Sequence, residues 1–223
     1  MPETKHFVVI GLGTFGAALV RRLQGWGCRV TGVDSEEDHV KELKDELYEA
    51  IIGDATERET LEHLPLKDAN AVIISLGDDI TRSLLAALHA KDLGAKRIVV
   101  KAVSNEHARI LKALGVEVVH PEREFAEAYA DRMSLPNLVG SLYELEKGYA
   151  MAEISVPDWL TGKTLQEADL RRRYRVNVVA VRGMMRGTFV IPEADYRFGP
   201  DESMLVVGRL EDITRLGKLQ NQS

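Results

Sequence analysis

The sequence of 223 residues is poor in cysteine, in aromatic side chains and in basic charge. Its single cysteine, Cys28, cannot form an internal disulfide, which excludes a fold stapled by disulfide bridges. The 29 basic side chains are outnumbered by 35 acidic ones, and the resulting net charge of −6 argues against a nucleic-acid-binding surface. No apolar run approaches the roughly 18 residues that a membrane-spanning helix needs.

We also expect neither a targeting segment nor a reactive thiol. Residues 1–6 lead directly into the first apolar run, so we expect no signal peptide. Cys28 lies at the edge of an apolar segment with no histidine near it in the sequence, so we expect a buried free thiol and not a catalytic nucleophile. Both features favour a protein of the reducing cytoplasm.

What the sequence does contain is a regular alternation of apolar segments and helix-like segments, which is typical of a parallel α/β sheet. Hydrophobic residues make up 45% of the chain and charged residues 29%, an ordinary globular balance. Six strands are predicted, at residues 7–10, 30–33, 49–53, 71–76, 97–101 and 116–120. With five helices between them, they predict a complete Rossmann-type doubly wound sheet.

The first predicted strand ends in a glycine-rich turn with the spacing G-x-G-x-x-G. This turn consists of Gly11, Leu12, Gly13, Thr14, Phe15 and Gly16. The first two glycines let the backbone close on a pyrophosphate, and the third lets the following helix pack against the strand. The helix N-terminus then offers free N–H groups to the anion. The strand before the turn, the helix after it and the later Asp34 favour a dinucleotide-type site; the alternative is a turn that binds nothing.

Two aspartates follow neighbouring strands. Asp34 ends the second strand, where a carboxylate accepts hydrogen bonds from both ribose hydroxyls of an adenosine and repels a 2′-phosphate, which disfavours NADP. Its alternative role is to cap the next helix, which Ser35 can also cap. Asp54 ends the third strand, and either contacts the adenine amine or caps its own helix.

Other charged residues near predicted strand ends have two interpretations each. Lys101 either offers its charge to a phosphate or is the first solvated residue after its strand. Glu122 either helps to bridge a metal or complements the dipole of the helix that it opens. The basic run from Arg171 to Arg175 is either a solvated helix end or, beside a phosphate-containing ligand, a binding patch.

After His120 the pattern changes. A helix from Pro121 carries an apolar stripe that suits a partner subunit or the second domain, formed by Phe125, Ala128, Tyr129 and Met133. We predict an N-terminal domain at 1–135, a linker at 136–148 and a small α+β domain at 149–223. Within the latter we expect strands at 151–156, 176–181, 188–192 and 203–208 and a helix at 164–174.

Catalytic signatures are missing. The sequence has no Walker lysine, no HExxH motif and no defensible Ser-His-Asp arrangement. A dehydrogenase needs a placed proton donor or acceptor, and the strand-rich remainder offers no compelling one. We therefore expect a protein that binds a nucleotide without transforming it, with no catalytic residues and no metal site. The rival hypotheses are a small NAD-dependent oxidoreductase and a free-standing nucleotide-binding adaptor of another membrane protein.

The motifs at successive strand ends together resemble a known family. Besides the glycine turn they are Val33-Asp34, Gly53-Asp54-Ala55-Thr56, Leu76-Gly77, Val100-Lys101-Ala102 and His120-Pro121-Glu122. In this order they resemble the RCK domain, the regulator of conductance of potassium, and more closely the KtrA/TrkA-type cytosolic subunits of bacterial potassium transporters. Residues 160–165, 176–181 and Gly208 resemble that family's C-terminal domain, so the resemblance covers nearly the whole chain.

This resemblance implies a regulatory subunit and not an enzyme. An adenine nucleotide, which is ATP, ADP, AMP or NAD(H), would bind the N-terminal domain. Homodimers would assemble into an octameric ring on an integral-membrane potassium-translocating subunit, at the inner face of the cell membrane. The nucleotide would set the shape of the ring and thereby gate ion flow.

The resemblance also implies binding residues. For the nucleotide they are Gly11, Leu12, Gly13, Thr14, Phe15, Gly16, Asp34, Ser35, Asp54, Ala55, Thr56, Leu76, Gly77, Lys101 and Glu122. For cyclic di-AMP, which some relatives bind between two C-terminal domains, they are Leu165, Leu170, Arg171 and Asn177. One departure concerns position 14, where ATP-responsive relatives often carry an arginine that reaches the terminal phosphate. Thr14 has no such charge, which leaves ADP, AMP and NAD(H) open.

Overall fold

The computed structural model describes residues 4–135, 137–183 and 187–218. The chain divides into two compact units, Met1–Pro121 and Glu122–Ser223. None of the helices among the described residues is long and apolar enough to cross a membrane.

The first unit is built on a parallel sheet. Its six strands within the described residues are β1 His6–Ile10, β2 Arg29–Asp34, β3 Glu49–Ile52, β4 Ala71–Ile74, β5 Ile98–Lys101 and β6 Glu117–Val119. They lie in the order β3-β2-β1-β4-β5-β6, and all five neighbouring pairs are parallel. The order reverses between β1 and β4, and the carboxyl ends of these strands form the edge at which such sheets bind ligands.

Five helices connect these strands, as the sequence predicts. They are α1 Thr14–Gly25, α2 Glu37–Leu43, α3 Arg58–Glu62, α4 Ile80–Asp92 and α5 Asn105–Leu114. Both faces of the sheet are covered, because α1 and α2 pack on one face around Val9 and Val20, and α3, α4 and α5 pack on the other around Ile74 and Leu111. Burial on both faces explains why β4 reads Ala-Val-Ile-Ile without polar alternation. The predicted Rossmann-type sheet is confirmed.

The second unit is an antiparallel sheet with helices, the small α+β fold that was expected. Within the described residues its strands are β7 Leu138–Glu144, β8 Tyr149–Ser155, β9 Asn177–Gly183 and β10 Glu202–Arg209, in the order β7-β8-β10-β9. Its helices are α6 Pro121–Ser134, which begins at the unit boundary, α7 Leu165–Ala168, α8 Leu170–Tyr174 and α9 Leu210–Lys218. A short 3-10 turn covers Asp158–Leu160.

Residues 138–144, which we expected in a linker, form the edge strand β7. Tyr143 pairs with Met151 and Glu144 with Ala150, so these residues extend the C-terminal sheet. Residue 136, where we expected the linker to begin, lies outside the described residues. The three domain ranges themselves stay a prediction.

Two expected elements of the second unit are wrong. The helix expected at 164–174 is divided at Asp169, whose φ of +43° is left-handed. Leu165, Ala168 and Leu170 cannot share one face of a straight helix, and the break brings all three onto the core. The strand expected at 188–192 is reduced to a single bridge between Val181 and Val190, since Pro192 has no N–H to donate to a ladder.

Candidate nucleotide-binding site

The glycine turn after β1 passes so close to neighbouring backbone that two of its glycines leave no room for a side chain. A Cβ at Gly11, where φ is +91°, would lie 2.1 Å from the carbonyl oxygen of Ser75. A Cβ at Gly16 would lie 1.9 Å from the carbonyl oxygen of Gly11, because α1 packs directly on the turn. At Gly13, in contrast, a Cβ would meet none of the described atoms within 4 Å. Gly13 therefore borders open space, as a residue approached by a ligand must.

The N-terminus of α1 lies at this open space. Gly13 is the N-cap, and no side chain among the described residues caps the helix, whose first turn contains no acidic residue. Helices α4 and α5 differ, since Asp79 and Ser104 accept hydrogen bonds from their first turns. The first N–H groups of α1 and the positive end of its dipole are thus available to an anion. Thr14, the first helical residue, is exposed.

Asp34 closes β2 beside this turn and is only 9% exposed. Its Oδ2 accepts the backbone N–H of Leu12 at 2.6 Å and lies 3.2 Å from Nδ1 of His39. Its Oδ1 accepts the backbone N–H of Glu36 at 2.9 Å. The N-cap of α2 is Glu36, so Asp34 does not cap that helix. With Oδ2 occupied twice, the remaining acceptor capacity for a ribose hydroxyl lies mainly at Oδ1.

Asp54 lies in the loop that follows β3 and is held by the residue two positions on. Its Oδ1 accepts the backbone N–H and the hydroxyl of Thr56, both at 2.9 Å. The backbone bond from Thr56 is the main cause that holds the pKa of Asp54 below its usual range. The N-cap of α3 is Glu57, so Asp54 does not cap its helix either. An ionised carboxylate is thus presented at the carboxyl edge of the sheet.

Two residues at the candidate site were not predicted from the sequence. His39 in α2 contacts Asp34 and belongs to its hydrogen-bond set. Arg82, in the first turn of α4, places Nη2 3.3 Å from Ser35 Oγ and 3.4 Å from Asp54 Oδ1. The available signal was its position, three residues after the capping Asp79 and therefore near the carboxyl edge of the sheet.

The remaining predicted residues differ in how exposed they are. Ala55 is buried in the core and Leu76 packs against it, whereas Gly77 is exposed with φ at +58°. Lys101 is the last residue of β5 and is half-buried. Glu122 is exposed in the first turn of α6 and belongs to the second unit.

A buried polar chain fixes the start of α4. His107 in α5 is 1% exposed, with Nε2 3.0 Å from Ser83 Oγ and Nδ1 3.4 Å from the backbone N–H of Val103. Ser83 Oγ in turn lies 2.9 Å from the carbonyl oxygen of Ile80, to which its hydroxyl donates. His107 is therefore neutral with its proton on Nε2. Burial lowers the pKa of His107, and nearby His120 acts in the same direction.

In the second unit, the residues implied for a second ligand come together. Leu165, Leu170, Arg171 and Asn177 all line one open cavity of about 520 Å³ between α7, α8 and the start of β9. Gln166, Asp169 and Arg172 complete its polar lining. Among the described residues of the whole chain, no cluster of histidine, cysteine and carboxylate side chains is arranged to hold a metal ion.

The fold and the candidate site together define a class: a Rossmann-type domain whose α1 begins without a side-chain cap at the glycine turn, followed by a small α+β domain. Comparison with known families agrees with both parts. Residues 7–121 match the TrkA-N domain, and residues 150–221 match the TrkA-C domain. The chain belongs to the TrkA family, and the resemblance noted from its strand-end motifs is confirmed.

Known relatives cover nearly the whole chain. Ktr system potassium uptake protein C of Bacillus subtilis (strain 168) is 36% identical over 217 residues, which is 96% of either chain. Ktr system potassium uptake protein A of Vibrio alginolyticus is 39% identical over 192 residues, 86% of either chain. Among solved structures, the GsuK channel bound to NAD covers 100% of this chain with a TM-score of 0.65 and 19% identity, and this chain spans 40% of that one. At that identity the likeness shows a shared fold.

Proposed function

We propose that this chain is a nucleotide-sensing regulatory subunit of a potassium uptake system. It binds an adenine nucleotide in its N-terminal domain and changes the shape of a cytosolic assembly accordingly. The observation that carries the proposal is the pairing of an uncapped α1 with the carboxylate of Asp34 at one sheet edge. The 36% identity over 96% of the chain to Ktr system potassium uptake protein C supplies the transport context.

The chemistry of the site suits a ribose joined to phosphate. The N–H groups of α1 attract a phosphate beside Gly13, and Asp34 accepts a ribose hydroxyl. ATP, ADP, AMP and NAD(H) share the adenosine that these groups recognise. Thr14 offers a hydroxyl but no charge, so the site discriminates weakly by phosphate number.

A sensor fits the residues better than an enzyme does. Asp34 and Asp54, the carboxylates at the candidate site, are already hydrogen-bonded to Leu12, Glu36 and Thr56, which supports a role in binding and not in proton transfer. A small NAD-dependent oxidoreductase would need a poised proton donor or acceptor near the nicotinamide. Hydride turnover on a panel of carbonyl and alcohol substrates would support that rival.

Regulation requires that the nucleotide bind two shapes of the assembly unequally. Asp34 joins the end of β2 to the turn after β1, so a ligand that contacts both is sensitive to their relative position. Nucleotides that differ beyond the ribose then stabilise different shapes. This coupling transmits ligand identity to the ion pathway.

The chain acts as a homodimer that assembles into an octameric ring. Helix α6 supports this assembly, since none of its residues is buried among the described side chains. Phe125 and Tyr129 stack at 5.8 Å and stand 70% and 50% exposed, with Met133 at 75%. The ring contacts an integral-membrane potassium-translocating subunit, and lies at the inner face of the membrane through it. Nucleic acid is not a partner.

The cavity lined by Leu165, Leu170, Arg171 and Asn177 is the site for cyclic di-AMP. Arg171 and Arg172 provide positive charge for its phosphates, and Asn177 provides amide hydrogen bonds. Its open side suits a ligand that is shared between two copies of the chain.

The decisive experiment measures uptake and binding together. The chain is co-expressed with a Ktr-type membrane subunit in bacteria that lack their own potassium uptake systems, and potassium uptake is recorded. Mass spectrometry identifies the nucleotide that co-purifies with the chain. Uptake that depends on the chain and changes with its bound nucleotide supports the proposal. Uptake that is the same with and without the chain contradicts it.

A further inference from the structure

Arg82 links three elements of the N-terminal unit. Its backbone N–H donates to the capping carboxylate of Asp79 at 3.2 Å, which fixes the base of the side chain in the first turn of α4. The guanidinium then reaches residues that are 47 and 28 positions away in the sequence, Ser35 and Asp54. A single nitrogen, Nη2, lies within hydrogen-bond distance of both.

The strand order shows where the Arg82 side chain lies relative to the candidate nucleotide site. Helix α4 follows β4, whereas Ser35 and Asp54 follow β2 and β3, and the sheet runs β3-β2-β1-β4. Arg82 therefore extends along the carboxyl edge from the β4 side towards β2 and β3. A nucleotide with its phosphates at α1 and its ribose at Asp34 lies at the same crevice. In such a nucleotide the phosphates and the base lie on opposite sides of the ribose. The guanidinium, which contacts Ser35 and Asp54, therefore borders the base.

The contact of the guanidinium with the neutral hydroxyl of Ser35 is easily exchanged, whereas opposite charge draws the guanidinium to Asp54. Both contacts are long, and the side chains of Arg82 and Asp54 are 37% and 40% exposed. Ion pairs this accessible to water add little stability. Arginine also stacks on aromatic faces, because its guanidinium is planar, delocalised and weakly hydrated. A purine base can therefore replace Ser35 as its neighbour while Asp54 keeps it in place.

We propose that Arg82 is a base-contacting residue, whose guanidinium stacks on the adenine of the bound nucleotide while it stays anchored at Asp54. This inference rests on the proposed function, since it requires an adenine nucleotide in the N-terminal domain. It makes Arg82 a determinant of affinity for the base, independent of how many phosphates the nucleotide carries. Lysine at this position keeps the charge but loses the planar surface.

The test compares Arg82→Gln and Arg82→Lys with a matched control, Arg58→Gln. Arg58 pairs with Glu62 within α3 at 2.9 Å and is 45% exposed, similar to Arg82. Calorimetry gives the affinity of the 223-residue chain for AMP, ADP and NADH at low and high salt. Arg82→Gln should weaken all three by the same factor, about three- to tenfold, with little salt dependence because adenine is neutral. Arg82→Lys should recover only part of the loss, and Arg58→Gln should bind as the wild type does.

Several results would overturn the inference. A loss that grows from AMP to ADP and shrinks in salt would make Arg82 a phosphate contact, and a gain in affinity would make it an obstruction. Unchanged affinity, or an equal loss in Arg58→Gln, would remove any specific role. Thermal unfolding without nucleotide checks that both Arg82 variants fold. Wild-type protein that binds none of the three ligands would instead contradict the proposed function.

Discussion

The carboxylate of Asp34 accepts the backbone N–H of Leu12 at 2.6 Å, and this bond joins the end of β2 to the glycine turn after β1. The residue expected to bind the ribose is thus also hydrogen-bonded to the turn that is expected to receive the phosphates. A ligand that contacts one of these positions would act on the other through this buried side chain.

Replacement of Asp34 by alanine should weaken adenine-nucleotide binding at least tenfold. The change removes a charged acceptor, and hydrogen bonds to charged groups contribute about 1.5–3 kcal/mol each. It also leaves the Leu12 N–H without its partner, so the unfolding temperature should fall. Isothermal titration calorimetry and thermal unfolding measure the two effects. The control is Asp92→Ala at the far end of α4, and unchanged affinity in Asp34→Ala for every adenine nucleotide would end the ribose assignment.

Replacement by alanine should lower stability at Gly16 and nucleotide affinity at Gly13. At Gly16 the added Cβ meets the Gly11 carbonyl at 1.9 Å, so Gly16→Ala should lose about 1–3 kcal/mol of stability or more. At Gly13 the Cβ meets none of the described atoms within 4 Å and φ is −60°, so Gly13→Ala should fold normally and lose nucleotide affinity. Urea unfolding and nucleotide titration distinguish them. Normal nucleotide binding by Gly13→Ala would show that no ligand approaches this turn.

Wild-type protein should discriminate poorly between ATP and ADP, and Thr14→Arg should shift the preference toward ATP. An arginine fork adds a bidentate, charge-assisted contact to the third phosphate, and the expected shift is about tenfold, or 1.4 kcal/mol. Thr14→Gln, which has length without charge, is the control. Titration of all three proteins with both nucleotides measures the effect. A strong ATP preference in the wild type that the substitution leaves unaltered would mean that position 14 does not face the phosphates.

Stability of the N-terminal unit should decline at acid pH because of His107. Burial lowers the pKa of His107 in the folded state, so the unfolded chain binds a proton more readily. The stabilising contribution is present above the ordinary histidine pKa of about 6.5 and is lost as the pH falls through the lower folded value. Protonation would place a second donor opposite the Val103 N–H.

His107→Gln should reduce this acid sensitivity, although it lowers stability at neutral pH. Unfolding temperatures between pH 8 and pH 5 measure the slope. His6, whose pKa is also lowered by burial, continues to contribute in the variant, so the slope should diminish and not vanish. An identical pH profile in wild type and variant would exclude His107 as a contributor.

The exposed stripe on α6 should support self-association. We expect at least a dimer by light scattering at micromolar concentration, and an octamer as the largest species. Phe125→Glu combined with Met133→Glu should dissociate it, because charged side chains resist burial in an apolar interface. Glu127→Gln on the same helix is the control. A wild-type monomer, with and without nucleotide, would contradict the gating assembly.

Much of this protein was determined by local sequence. The run from Val8 to Ile10 is apolar at every position, as an inner strand buried on both faces requires, and Gly16 must be glycine because a Cβ there would lie 1.9 Å from the carbonyl oxygen of nearby Gly11. These features depend on residues that are near one another in the chain. The same holds for the order of strands and helices through β6. Local pattern was insufficient in the second unit, where Asp169 breaks a helix to bring Leu170 into the core.

Only the tertiary structure decided which side chains meet at the site. The sequence predicts that Arg82 lies in a helix and that Ser35 and Asp54 lie in loops. They become neighbours because the strand order β3-β2-β1-β4 places the start of α4 beside the loops that follow β2 and β3. His39 reaches Asp34 only because α2 packs back against its own strand. Contacts of this kind depend on strand order and packing, which are set by the burial of both sheet faces together and not by any short segment of sequence.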